Sequence, residues 1–108
     1  MIVEERTYHV YTGKLPELVK AYAGEGIEVQ KEILGGFLGA YTTEIGELSC
    51  YVSMWQYADF AEREQRRAVL AADPRWQAFL PKITPLIHTQ RNRILVPTPF
   101  HPALAGQA

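Results

Sequence analysis

The stretch LSCYVSMWQY, Leu48 to Tyr57, decides the fold. Its β-branched and aromatic residues read as a strand, along which alternate side chains point to opposite faces. Leu48, Cys50, Val52 and Met54 fall on one face and are all apolar. Ser49, Tyr51, Ser53, Trp55 and Tyr57 fall on the other, and Tyr51, Trp55 and Tyr57 are aromatic. A sheet built from such a strand needs a cover on both sides, because large apolar patches are not left in water. The strand alone does not say which face meets helices.

Outward from it, Phe37 to Glu44 reads as a strand joined to it by the short IGE turn, forming a hairpin. Ile2 to Tyr11 is a first strand, ended by the turn residues around Gly13. Pro16 suits a first helical turn, where its missing N–H is not needed. Leu18, Val19, Tyr22, Val29 and Ile33 then recur at spacings of three and four, an amphipathic helix with Gly26 on the same seam. Gly35 and Gly36 end it. Asp59 with Glu62 resembles a capping box and opens a helix through Ala72. Asp73-Pro74 repeats the start signal ahead of Trp76, Phe79, Leu80, Ile83 and Ile87, with Pro81 and Pro85 expected to kink or break that helix. Thr89 to Val96 is the last strand.

This order predicts an α+β fold: a ferredoxin-like split βαβ, with a four-stranded antiparallel sheet and helices on one face. No helix is left to cover the other face, so a second copy of the sheet is expected there, in a two-fold homodimer.

At 108 residues the chain has room for one core. The body is expected over 1–97, and the proline-spaced stretch 98–108 is expected to be an extended or loose tail. A net charge of −1 with interspersed signs gives no footprint for nucleic acid. No apolar run approaches the ~20 residues of a membrane span. The start carries no signal or transit pattern, so a cytoplasmic location is expected. Cys50 alone allows no intrachain disulfide and no cysteine-based zinc site, and His9, His88 and His101 are too scattered to suggest a metal.

Several stretches together resemble the NIPSNAP family. They are E-x-R-T-Y at Glu4, Arg6, Thr7 and Tyr8; Gly13-Lys14; Gly26 with Gln30 in GIEVQ; and the hairpin GAYTTEIGEL. Trp55-x-Tyr57, the run REQRRAVLAADPRWQAFLPKI and the closing NRIL at Asn92 to Leu95 complete the set. The resemblance covers roughly Met1 to Phe100. It implies a dimeric α+β barrel in which two sheets share one barrel, and it implies little about activity. Glu5 and Pro81 depart from the family's habit of an apolar residue and a helix former at those places.

Candidates for chemistry centre on the first strand. Ile2, Glu4, Arg6, Tyr8 and Val10 share one face, and Val3, Glu5, Thr7, His9 and Tyr11 share the other. The strand is expected to be central, so its charges must be paired or line a cavity, because isolated buried charge is costly. Glu4 and Glu5 are expected to escape at the strand's beginning, Arg6 and His9 less easily. Arg6 could clamp a carboxylate with Tyr8 donating beside it, in a cleft between sheet and helices. Gly26 either allows close packing or leaves a hollow for a ligand. Trp55 and Tyr57 are core or interface aromatics, or the wall of an aromatic pocket. Arg63, Arg66 and Arg67 form a cluster that could attract an anion but, with acids interleaved, read as a solvated face, with Glu62–Arg66 and Glu64–Arg67 as surface pairs. Cys50 reads as a small buried hydrophobe. Haem, held by His88, is a further possibility drawn from other branches of the superfamily. The pocket candidates are thus Arg6, Tyr8, His9, Gly26, Trp55 and Tyr57. The expected role is small-molecule binding, with an oxygenase acting on a small aromatic or apolar compound, cofactor-free or haem-dependent, as the alternative.

Overall fold

The computed structural model describes residues 1–102, so 103–108 of the expected tail lie outside the described residues. In chain order the elements are β1 (Ile2–Val10), α1 (Leu15–Ala21), α2 (Ile27–Leu34), β2 (Phe37–Thr42), β3 (Cys50–Tyr57), α3 (Phe60–Ala72), α4 (Pro74–Ile83) and β4 (Ile87–Leu95). The strands form one antiparallel sheet in the order β2-β3-β1-β4, which makes β1 central as expected. This is the ferredoxin-like α+β fold.

The aromatic face of β3 meets the helices. Tyr51, Ser53, Trp55 and Tyr57 are buried there, and register sets them beside Tyr8, Arg6, Glu4 and Ile2 of β1. Leu18, Tyr22, Leu34, Leu70, Phe79 and Ile83 close the core from the helical side. Burying side chains of this size contributes about 1.5–3 kcal/mol each. On the open face Val3, Val52 and Met54 sit among Glu5, Thr7, Arg91 and Arg93, with Glu5 and Arg93 paired at 3.0 Å. Leu48 is not part of that face. The strand begins at Cys50, and Leu48 lies exposed in a connection longer than the expected turn.

The first helix departs from simple periodicity. Its buried positions are Leu18, Tyr22, Gly26, Gln30 and Leu34, each four residues after the last, whereas Val19 is exposed. An α-helix of ~3.6 residues per turn slips by ~40° at each such step and would carry the seam off the core. A π-helical turn over Tyr22–Gly26 corrects the slip, with Ile27 N–H donating to the Tyr22 carbonyl five residues back.

Both helix-start signals operate. Asp59 accepts from Glu62 N–H at 2.8 Å, and Glu62 Oε2 accepts from Ala58 N–H at 2.8 Å. Asp73 accepts from Arg75 N–H at 2.8 Å. Pro81, expected to break the helix, sits inside α4. It lies in the last turn, where only the Gln77 carbonyl loses an intrahelical donor, while Thr84 N–H and Oγ1 both donate to the Leu80 carbonyl. Lys82 to Glu25 and Arg75 to Glu32 tie α4 to the first helix pair.

Gly26 marks the closest approach between these layers. A Cβ built there would lie 2.4 Å from the Phe79 ring, which is buried and has nowhere to retreat. In an open helix alanine would be favoured over glycine by about 1 kcal/mol, but here the clash decides. Gly26→Ala is expected to destabilise the fold by about 1–3 kcal/mol in urea unfolding; a stabilised variant would contradict the packing.

Candidate functional site

Glu4 stands on the helix-facing side of the central strand with 0% of its surface exposed. The expectation that it escapes at the strand's beginning is corrected. The carboxylate accepts from Arg6 Nη1 at 3.0 Å, from Arg63 Nε at 3.2 Å and Nη2 at 2.8 Å, and from Asn92 Nδ2 at 3.1 Å. The paired bonds from Arg63 use its planar fork, the geometry that makes guanidinium–carboxylate contacts strong. Burial by itself would raise the Glu4 pKa, but the Arg63 hydrogen bond and the charges of Arg6, Arg63 and Arg67 outweigh it and hold the carboxyl below its ordinary value.

Arg6, also buried, turns its Nε and Nη2 to the Tyr8 hydroxyl at 3.2 and 3.1 Å. Tyr8 begins a run of rings: it stacks on Tyr51 at 6.0 Å, and Tyr51 on Tyr22 at 4.9 Å. Burial, reinforced by Tyr8, pushes the Tyr51 phenol up to about 12, and burial pushes Tyr22 further upward. Both therefore stay neutral under any ordinary condition.

Arg67 lies one turn beyond Arg63 on α3 and faces the same way. It does not pair with Glu64 as a surface residue would. Its Nη1 is buried and has no hydrogen-bond partner among the described residues. Burial, then the neighbouring charge of Arg6, lowers its pKa, the signature of a cation held in poor company. Three guanidiniums here share the one carboxylate of Glu4. Arg66, by contrast, turns outward to Glu62 at 2.8 Å, the expected surface pair.

A cleft of about 390 Å³ opens beside this cluster. It exists because β4 is an edge strand that α3 and α4 do not fully cover. Arg6, Tyr8, Arg67 and Gln90 supply polar groups to its lining, and Trp76, Leu80, Ile83 and Ile87 apolar ones. Its volume is at the small end of the ~300–1,000 Å³ usual for ligand sites.

Of the expected pocket residues, Arg6 and Tyr8 meet here and the others do not. Gly26 packs against Phe79. Trp55 is sealed in the core with its indole N–H on Ser53 Oγ at 3.0 Å. Tyr57 lines a separate hollow with Met1 and Gly36. His9 projects from the opposite sheet face, where its Nδ1 lies 3.5 Å from Glu47. Arg67 and Trp76 complete the cleft and were not singled out for it by the sequence.

The residues present do not fit a haem held by His88. That ring is exposed, against Tyr11 at 5.0 Å and His9 at 6.2 Å, rather than facing an apolar chamber. The cleft beside Arg67 carries no histidine in its lining.

The NIPSNAP family profile matches residues 3–102. A solved NIPSNAP family protein of Agrobacterium tumefaciens is 48% identical, with a TM-score of 0.91 over 94% of this chain and 96% of that one. A NIPSNAP-like domain protein of Burkholderia xenovorans is 39% identical, with a TM-score of 0.90 over 94% and 88%. NipSnap homolog 1 of Danio rerio is 29% identical over 104 residues, 94% of this chain. The chain spans 36% of that protein's length and 18% of a Caenorhabditis elegans relative's. A solved antibiotic biosynthesis monooxygenase superposes with a TM-score of 0.63 at 11% identity over 92% of this chain and 100% of that one, a likeness of fold.

The Glu4 clamp has a pH signature. A carboxyl whose folded pKa lies below its unfolded value stabilises the fold fully above the unfolded value and loses that contribution as pH falls through the folded one. Glu4→Gln removes this dependence. The stability gap between wild type and variant is expected to be constant near neutrality and to shrink below pH 4.5, the ordinary value of the group. Parallel acid limbs in urea titrations at stepped pH would contradict the clamp.

Proposed function

The chain belongs to the NIPSNAP family, and from that premise and its cationic cleft we propose that it binds a small organic anion between the sheet and the helices. The carrying observation is the Arg67 guanidinium, which lines the cavity, has no carboxylate hydrogen-bonded to it among the described residues and has its charged form disfavoured by burial and by Arg6. A ligand carboxylate in the cleft would supply the counter-charge that this guanidinium lacks, and a hydrogen bond to a charged group contributes about 1.5–3 kcal/mol. The planar fork of Arg67, with Arg6 and the Tyr8 hydroxyl alongside, suits a carboxylate better than a neutral oxygen. Trp76, Leu80, Ile83 and Ile87 suit an apolar body behind the charged group. The favoured ligand is therefore a monocarboxylate with a short aliphatic or aromatic tail. The oxygenase alternative ranks below this reading, because Trp55 and Tyr57, the aromatic wall it would use, lie off the cleft.

The second element of the proposal is a homodimer formed through the open sheet face. Val3, Leu38, Met54, Leu95 and Val96 border an apolar groove on that face, which Pro97, Thr98 and His101 also line, and no described helix or strand covers it. A facing sheet would bury this apolar area while pairs such as Glu5–Arg93 stay at its edges.

Calorimetric titration with hexanoate and benzoate tests the ligand class. Both acids are expected to bind, and their neutral amides are not. Arg67→Met is expected to weaken binding about 10- to 100-fold, the worth of one charge-assisted hydrogen bond. Equal binding of acid and amide, or of neither, would sink the proposal. For the assembly, light scattering at micromolar concentration is expected to give about twice the 12.2 kDa chain mass; a monomer would contradict the facing-sheet arrangement.

A further inference from the structure

On the sheet face opposite the cleft, three chemically different donors converge. His9 of β1 and Cys50 of β3 are direct cross-strand partners. Glu47 reaches back over them from the β2–β3 connection, and its Oε1 lies 3.5 Å from His9 Nδ1. One ligand atom from each of the three residues lies within 4.8 Å of the other two. Their scatter along the sequence conceals this, because strand register rather than proximity in the chain makes His9 and Cys50 neighbours.

We propose that His9, Cys50 and Glu47 bind a divalent ion of the zinc class. Thiolate, imidazole and carboxylate together match zinc's preference, and three protein ligands leave a fourth tetrahedral position to water. Ligand atoms around zinc at ~2.0–2.3 Å stand ~3.3–3.8 Å apart, so the cluster must close by about 1 Å, within reach of side-chain rotation.

The framework for that closure is firm where precision is needed. His9 and Cys50 stand on paired central strands, a more exact mounting than loops provide. The connection carrying Glu47 is pinned by Val10 N–H to the Ser49 carbonyl at 2.9 Å and Thr43 N–H to the Cys50 carbonyl at 3.2 Å. Ser49 adopts φ 64°, a left-handed conformation that side chains other than glycine rarely accept, next to the site in the connection that carries Glu47. Arg91 Nη2 lies 3.4 Å from Glu47 Oε2. On binding, Glu47 exchanges that exposed pair for the metal, and the Cys50 thiol releases its proton to solvent. This inference is independent of the anion proposal, since it uses other residues on the other face of the sheet.

Cobalt(II) titration of the intact, chelator-stripped protein tests it. One equivalent per chain is expected to give a thiolate-to-cobalt charge-transfer band, which zinc then bleaches. With one cysteine in the chain, the band has one possible source. His9→Ala and Glu47→Gln are expected to weaken binding by at least ~10-fold, since loss of even an outer-shell partner costs that much. Competition of zinc against a chromophoric chelator of known affinity gives a second readout that needs no variant. Cobalt bound without a thiolate band, an unchanged affinity in His9→Ala, or zinc failing to compete with the chelator would overturn the proposal.

Discussion

The Glu4 carboxylate sits inside the protein on the central strand, and the surrounding charges are organised around it. It bonds to Arg6 on its own strand, to Arg63 from α3 and to Asn92 from β4, so one side chain couples three elements. Removing one partner of such a network leaves the others buried and uncompensated, at a cost of about 3–5 kcal/mol. Docking of α3 on the sheet therefore depends on this carboxylate as well as on the buried side chain of Leu70.

The network is unequal by construction. Glu4 bonds to Arg6 and Arg63, whereas Arg67, which lines the cleft, has no carboxylate hydrogen-bonded to it among the described residues. A fold selected for stability alone would favour an apolar residue of similar length there, because packed hydrophobic groups commonly equal or exceed buried charge in stability. The surplus cation is intelligible as the binding half of an interaction that an anionic ligand completes. Trp76 and the aliphatic residues behind it give such a ligand somewhere to place its carbon skeleton. On the proposed reading, stability and binding are opposed at this one residue, as they often are where a site is preorganised.

The order of elements was legible because its signals are local. Asp59 with Glu62, and Asp73-Pro74, mark helix starts by contacts within a few residues. The alternation from Tyr51 to Tyr57 marks a strand with two demanding faces. Arg6 and Tyr8 were legible as polar groups on a strand expected to be central. What the sequence hid depends on partners far along the chain. Glu4 looked able to reach solvent, whereas its partners Arg63 and Asn92 stand 59 and 88 residues away. Arg67 looked like the partner of Glu64; its stripe with Arg63 and Leu70 on α3 was the available clue to an inward direction. The spacing of four through Leu18, Tyr22, Gly26, Gln30 and Leu34 was likewise present, but glycine and glutamine do not register as apolar, so the π-helical turn went unread. Gly26 drew attention as a hollow or a close approach, and the Phe79 ring resolves it as the latter.

The central claim is that Arg67 is kept for a ligand at the expense of the unliganded fold. Comparing the stability of wild type and Arg67→Met by urea unfolding, in buffer free of organic anions and then with saturating benzoate, tests it most directly. The account predicts that the variant is the more stable of the two without anion, by about 1 kcal/mol, the order of an unsatisfied polar donor. It further predicts that benzoate stabilises the wild type and leaves the variant nearly unchanged. A variant less stable than wild type without anion, or stabilised by benzoate as much as wild type is, would contradict it.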